Sequence, residues 1–322
     1  MHMQARTLLR PCVIPTLATS GACSLPTQLR KRRRKASGGP AYGESMDPAS
    51  ADTCYDSQAG TRVNALPNLV EIASQPVVRD VGALTLTVVG SILWVKIFDY
   101  FCKRGYLEQK LSRKLVHITT GPIFAFCWVL FSQAEYARYI AAIVPAANCV
   151  RLLSVGAGYT TDEGLTKTLS RENKREELLR GPFFYTIVMG VATVAFWRES
   201  TIGFVMLGMM CGGDGLADVI GRRIGKNKLP WNTDKTVEGS VAMFFGGMLM
   251  ALGLLSFYQS VGYLTLTPDT FYMVLGPALV ATLVESLPIT TIIDDNLTVP
   301  VAAAMAALAV SNMIPAQAVL GY

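Results

Sequence analysis

The stretch that decides the fold is Cys211–Ser240, which reads CGGDGLADVIGRRIGKNKLPWNTDKTVEGS. It begins inside an apolar segment, yet it carries Asp214 and Asp218 four residues apart. On a helix that spacing puts both carboxylates on one face, one turn from each other. Ionisable groups inside a membrane span are expensive and mark a functional site by default. Gly212, Gly213 and Gly215 flank the first Asp and let another backbone or a ligand approach closely. The chain then leaves the apolar phase into Arg222, Arg223, Lys226, Lys228 and Lys235, a basic loop broken by Gly221, Gly225 and Pro230. Carboxylates, glycines and then cations are the combination that handles a metal-complexed polyphosphate. The acids hold Mg²⁺, and Lys and Arg neutralise phosphate oxygens. The bland alternative is a structural carboxylate pair followed by an ordinary basic loop. Against it, both carboxylates and all five cations crowd one membrane edge.

Outward from this stretch, the composition predicts the setting. Of the 322 residues, 51% are hydrophobic and only 16% charged, which is too apolar for an ordinary soluble protein. Apolar segments recur at about 81–98, 115–131, 137–155, 182–197, 201–220, 240–258, 271–287 and 298–318. Several are near the lower length limit for crossing a bilayer, so the expectation is an all-α, polytopic membrane protein with seven or eight spans. The loops 99–114, 156–181 and 221–239 carry five Lys or Arg each, whereas 132–136, 198–200 and 259–270 hold only Arg198 between them. With eight spans every basic loop falls on one side of the bilayer, as the positive-inside rule requires. No period of 20–50 residues repeats, which excludes a solenoid.

The net charge of +6 is unevenly spread. From Met1 to Gly43 there is no Asp or Glu and there are eight Lys or Arg, six of them in the run Arg30–Lys35. Residues 1–60 read as an organelle transit peptide, plastid or mitochondrial, with a basic tail or a nuclear signal as the alternative. Residues 61–80 read as a linker or surface helix, and 81–322 as the membrane-embedded domain. A basic run without aromatic interleaving, ahead of membrane spans, argues against nucleic-acid binding. The seven cysteines are scattered, with no C-x-x-C, which argues against a zinc site and a disulfide framework.

Ionisable residues converge on the basic side. Arg113, Lys114 and His117 open the second span, Arg151 lies near the end of the third, and Asp214 and Asp218 near the end of the fifth. Glu285 ends the seventh, just before Asp294, Asp295 and Asn296. Asp294 and Asp295 are candidate further metal ligands beside Asp214 and Asp218. His117, one of two histidines, is a candidate for phosphate contact or proton transfer. Signatures of soluble kinases are absent: Gly221–Asn227 lacks both the spacing and the Ser or Thr of a P-loop. There is also no G-x-S-x-G elbow and no H-R-D loop.

These residues resemble the core of the polyprenol kinase family, which includes plant and algal phytol kinases and farnesol kinases. Arg113-Lys114-Leu115-Val116-His117 through Gly121 matches its R-K-x-x-H-x-x-x-G. Arg175 through Pro182 is similar to its R-x-E-L-x-x-G-P, and Glu285–Pro288 through Asp294–Asn296 to its closing motif. The likeness covers about 80–320. It implies a multi-span kinase that uses CTP and Mg²⁺ to phosphorylate an isoprenoid alcohol, phytol first among them, in a chloroplast membrane, feeding tocopherol synthesis. In that picture Asp214, Asp218, His117 and Lys235 are catalytic, and Asp214, Asp218, Asp294 and Asp295 bind metal. Arg222, Arg223, Lys226, Lys228, Lys114, Gly212 and Gly213 hold the nucleotide. One departure is Lys235-Thr236-Val237-Glu238-Gly239-Ser240, which looks closer to dolichol kinases and CDP-diacylglycerol synthases. Farnesol, geranylgeraniol or dolichol therefore remain alternative substrates, and a cytidylyltransferase an alternative reaction. A transporter using Asp214, Asp218 and Glu285 fits less well, because these charges sit at one face and not at the midplane.

Overall fold

A backbone in hydrocarbon must satisfy its polar groups within its own segment, so apolar runs of this length become helices. The computed structural model describes residues 75–288 and 293–313. The chain divides into two units, Met1–Arg62 and Val63–Tyr322, and all described residues belong to the second. The expected leader and most of the expected linker lie outside the described residues.

Ten helices follow among the described residues: α1 Pro76–Lys103, α2 Gln109–Cys127, α3 Ala137–Gly156 and the short α4 Glu163–Leu169. Next come α5 Gly181–Val191, α6 Thr201–Gly208, α7 Gly215–Arg223, α8 Val237–Ser260, α9 Pro268–Ser286 and α10 Asp295–Met313. A 3₁₀ turn, Arg175–Leu179, precedes α5, and a π segment, Ala192–Phe196, extends it. A second π segment, Met209–Asp214, joins α6 to α7 into one rod. Six helical stretches among the described residues are long and apolar enough to cross a membrane: α1, α3, Arg175–Phe196, Thr201–Arg223, α8 and α10. The other two apolar segments fall on α2 and α9, which bring Lys110, Arg113 and Lys114, or Asp269 and Glu285, into the helix ends. The first helix starts at Pro76, so within the stretch read as linker or surface helix, 76–80 is helix. Proline's fixed φ and missing N–H suit a helix's first turn. Asp80, expected in the linker, is fully buried and accepts from the Ser132 amide at 2.6 Å and hydroxyl at 2.8 Å.

The rod Thr201–Arg223 is the most buried of the membrane-length stretches, and α8 packs along it through small residues. A Cβ on Gly212 would sit 2.6 Å from the Met250 Cβ and 2.7 Å from the Gly246 carbonyl oxygen. On Gly208 it would meet the Ala251 Cβ at 2.7 Å. Such contacts drive helix association where lipid is as apolar as the side chains. At the other end of the helices from Lys114, Arg198 is only 1% exposed. It donates to the carbonyls of Trp128 at 3.0 Å, Phe131 at 3.2 Å and Ser132 at 2.5 Å. Its charge is thus spread over carbonyls in and just beyond the 3₁₀ extension of α2, Trp128–Leu130.

The basic loop is more ordered than its composition suggests. Lys228–Leu229 (β1) and Asn232–Thr236 (β2) pair antiparallel, with Lys228 opposite Thr236 and Leu229 opposite Asn232. The hairpin turns at Pro230–Trp231, and Asn232 Nδ2 donates to the Ser286 carbonyl at 3.2 Å, tying it to the end of α9. Thr236 then caps α8, its hydroxyl accepting from the Gly239 amide at 3.1 Å.

Candidate active site

The site is built from the basic-side ends of α2, the rod Thr201–Arg223, the hairpin, α9 and the start of α10. Lys114 is only 6% exposed, and its ammonium lies 3.2 Å from Asp214 Oδ2 and 3.8 Å from Asp218 Oδ2. The two carboxylates do share one face, as their spacing requires, and what lies between them is Lys114. Asp218 also accepts from Arg222 Nε at 2.7 Å, one turn on along α7. Asp214, 5% exposed, takes a further contact from His117 Nε2 at 3.2 Å.

The second π segment explains how His117 is held. A π-bulge adds a residue to the rod, and one carbonyl loses its usual amide four residues on. The Met210 carbonyl oxygen lies 2.9 Å from His117 Nε2. Nε2 faces two acceptors, the Met210 carbonyl and the Asp214 carboxylate, so it carries a proton, and in the neutral ring Nδ1 is the basic nitrogen. Tyr185, which the sequence did not single out, donates its hydroxyl to the His117 carbonyl at 3.0 Å, and its ring lies 4.6 Å from the imidazole, tilted by 48°.

The hairpin delivers Lys235 into the same cluster. Its ammonium contacts Glu285 Oε1 at 2.5 Å and Asp295 Oδ2 at 3.0 Å. Burial works against the Lys235 charge, but Glu285 and Asp295 outweigh it and hold the ammonium above its ordinary pKa. Asp214 lies within electrostatic reach of Lys235, Glu285 and Asp295, so the two groups of charges form one cluster. Glu285 is 3% exposed and its Oε2 has no hydrogen-bond partner among the described residues; the same holds for Asp295 Oδ1.

The other predicted residues fall elsewhere. Asp294 helps start α10, its Oδ1 accepting from the Asn296 amide at 3.0 Å and Nδ2 at 2.7 Å. A Cβ on Gly181 would meet Asn296 Nδ2 at 3.1 Å, so the Gly181–Pro182 motif closes onto the Asp294–Asn296 motif. Gly212 and Gly213 are buried against α8, at Met250, Gly246 and Met243, where they serve helix packing. Arg223, Lys226 and Lys228 are exposed and form no ion pair among the described residues. Arg113 is half-buried, within electrostatic reach of both Asp214 and Asp218. Arg151 pairs instead with Asp162, the N-cap of α4.

Among the described residues no three His, Cys, Asp or Glu side chains are grouped to hold a metal by themselves. Magnesium, however, is often held by one or two carboxylates, with substrate phosphates completing the shell. Carboxylate oxygens with free lone pairs, at Glu285 and Asp295, meet that requirement.

Fold and site together define a helical protein with helices long and apolar enough to cross a membrane, and with a buried cluster of acids and lysines at one end, beside an exposed cationic hairpin. Known proteins fix the family. The chain is 46% identical over 239 residues to the probable phytol kinase, chloroplastic, of Triticum aestivum, covering 73% of this chain and 79% of that protein. It is 45% identical over 243 residues to probable phytol kinase 1, chloroplastic, of Oryza sativa subsp. japonica, covering 74% and 76%. Against phytol kinase 1, chloroplastic, of Arabidopsis thaliana it is 42% identical over 252 residues, 77% and 83% of the two chains. The chain belongs to the phytol kinase family. No family model and no solved structure matches it.

Proposed function

We propose that this protein transfers the γ-phosphoryl group of CTP to the hydroxyl of phytol in a chloroplast membrane, and that phytyl phosphate then feeds tocopherol synthesis. The observation that carries the reading is the meeting of Lys114, Lys235 and four carboxylates at one end of the apolar helices, in a chain related to phytol kinases. An apolar alcohol and a polyphosphate can react only where hydrocarbon meets water, and a cluster at the ends of helices long and apolar enough to cross a membrane suits such a boundary.

Each group has a task. The exposed Arg223, Lys226 and Lys228 attract and seat the triphosphate, a role suited to cations with no carboxylate of their own. Lys114 and Lys235, fixed by their acid partners, neutralise charge that develops on the transferred phosphoryl oxygens. Carboxylates of the cluster would help hold magnesium, which would supply positive charge to offset that of the phosphate oxygens. The alcohol enters from the bilayer with its tail among the helices and its hydroxyl at the cluster. Its oxygen bonds to the γ-phosphorus as the bond to the β-phosphate oxygen breaks and CDP leaves. The hydroxyl proton passes to a basic atom of the cluster, with His117 Nδ1 one of those available. Asp214 keeps Lys114 and His117 in place.

The test uses membranes carrying the protein, phytol, farnesol, geranylgeraniol or dolichol, and CTP or ATP labelled at the γ-position or in the base. Label from γ-CTP in phytyl phosphate is the expected result. Entry of the cytidine label into a phospholipid, with pyrophosphate released, would make the chain a cytidylyltransferase and overturn the kinase reading.

A further inference from the structure

The sequence reading gives the divalent cation to Asp214 and Asp218 with Asp294 and Asp295, and at the first pair an ammonium already lies between the carboxylates. The Lys114 ammonium reaches both carboxylates, His117 takes a further contact with the first, and Arg222 bonds the second. The pair is neutralised by side chains that are themselves largely buried or one helical turn away. A cation there would have to expel Lys114 into a low-dielectric space with no other carboxylate within ion-pair distance of it among the described residues.

At the hairpin's Lys235 the balance differs. Glu285 ends α9 and Asp295 begins α10, and both converge on the single Lys235 ammonium. Two carboxylates share one positive charge. Each also keeps one oxygen, Glu285 Oε2 and Asp295 Oδ1, that is buried and without a hydrogen-bond partner among the described residues. Neighbouring Asn296 likewise leaves its Oδ1 buried and unpartnered. A buried carboxylate oxygen with nothing to accept from is unfavourable unless a ligand completes it. Hard oxygen donors with net negative charge are what a small divalent cation selects.

We infer that Glu285 and Asp295 form the divalent-cation site of this protein, with Asp214 and Asp218 serving to position Lys114. The assignment rests on the kinase reading only in giving that cation to a nucleotide phosphate. Two carboxylates leave most of the coordination shell to phosphate oxygens and water, which is the usual state of magnesium at a phosphoryl-transfer site. Lys235 then acts as the site's stand-in cation and shares its carboxylates with the metal when the metal is bound.

The experiment is Mn²⁺ binding to the full chain purified in detergent, read by the loss of the free-ion electron paramagnetic resonance signal, once with Mn²⁺ alone and once with CTP. Wild type is expected to bind saturably. Glu285→Gln and Asp295→Asn, on different helices, should each weaken binding beyond the ~10–100-fold typical of groups that only support a ligand. Lys235→Met leaves both carboxylates and removes the competing ammonium, so it should bind Mn²⁺ more tightly, an effect a purely structural role would not produce. Monodispersity on size exclusion establishes that each variant is folded. Wild-type affinity in both acid variants, or no saturable binding by wild type in either arm, overturns the site. So does loss of binding in Asp214→Asn with retention in Glu285→Gln. Binding in the Mn²⁺-only arm, with no effect of CTP, would leave the site standing and count against CTP as the donor.

Discussion

Replacing Lys114 by Met tests whether the buried lysine is the keystone of the Asp214–Asp218 face. At 3.2 Å and an effective dielectric of about 20, the Lys114–Asp214 attraction is worth about 5 kcal/mol before desolvation is counted. Removing one partner of a buried pair strands the other, at about 3–5 kcal/mol. Lys114→Met leaves Asp214 with only the His117 contact, so the full range is expected. Asp214→Asn leaves Lys114 with Asp218 at 3.8 Å, and the loss should be smaller, on the order of 2 kcal/mol, the worth of one hydrogen bond to a charged group. The double variant strands neither charge, and its loss should fall short of the sum by about 2 kcal/mol. For a unit of this size each kcal/mol moves the midpoint by about 2–4 °C, so Lys114→Met should lower Tm by roughly 6–20 °C. Thermal unfolding of the four proteins in one detergent at pH 7.5 supplies the cycle. Additivity within about 0.5 kcal/mol would refute a direct Lys114–Asp214 pair, and with it the view that Lys114 fills the space between the two acids.

Other outcomes follow from the same geometry. Asp214→Asn should abolish phytol phosphorylation while the protein stays folded, and a near-normal rate would remove Asp214 from the machinery. Neutralising Arg223, Lys226 and Lys228 together should raise KM for the nucleotide and leave Tm within about 1 °C, since exposed, unpaired cations contribute little to stability. Lys235 has a raised pKa, so its ion pairs contribute fully below the unfolded lysine value of about 10.4 and are lost as pH rises from there through the folded value. This part of the stability should therefore be level up to about pH 10 and fall above it, and the fall in Tm should be smaller in Lys235→Met. Gly212→Leu drives a side chain into Met250 and the Gly246 carbonyl, so a loss of about 1–3 kcal/mol or more is expected, seen as a lower Tm or failed expression.

Much of the site was legible in the sequence because its signals are local. Carboxylates four residues apart must share a helix face, and Asp214 and Asp218 do. Loops rich in Lys and Arg must share a side of the membrane, which brings α2, α7, the hairpin and α9 to one edge. The helical class itself follows from the length of the apolar runs. Asp294 and Asp295, by contrast, are adjacent and chemically alike, and no pattern separates them. The turn into α10 decides that Asp295 meets Lys235 while Asp294 binds Asn296. The glycines beside Asp214 signalled close approach, but only packing reveals that what approaches is α8. The hairpin was hidden because its strands are short and polar, held by Asn232 at the end of α9 and not by an alternating pattern.

Spacing and hydropathy thus determined which residues could meet, since both are set by the rise of a helix and the thickness of a bilayer. Which charges neutralise one another was decided by tertiary structure alone. Lys114 and Asp214 are 100 residues apart, and Lys235 and Glu285 are 50 apart, so no local rule pairs them. Burial then makes those pairings matter, because a charge removed from water must find its partner wherever the fold has put it.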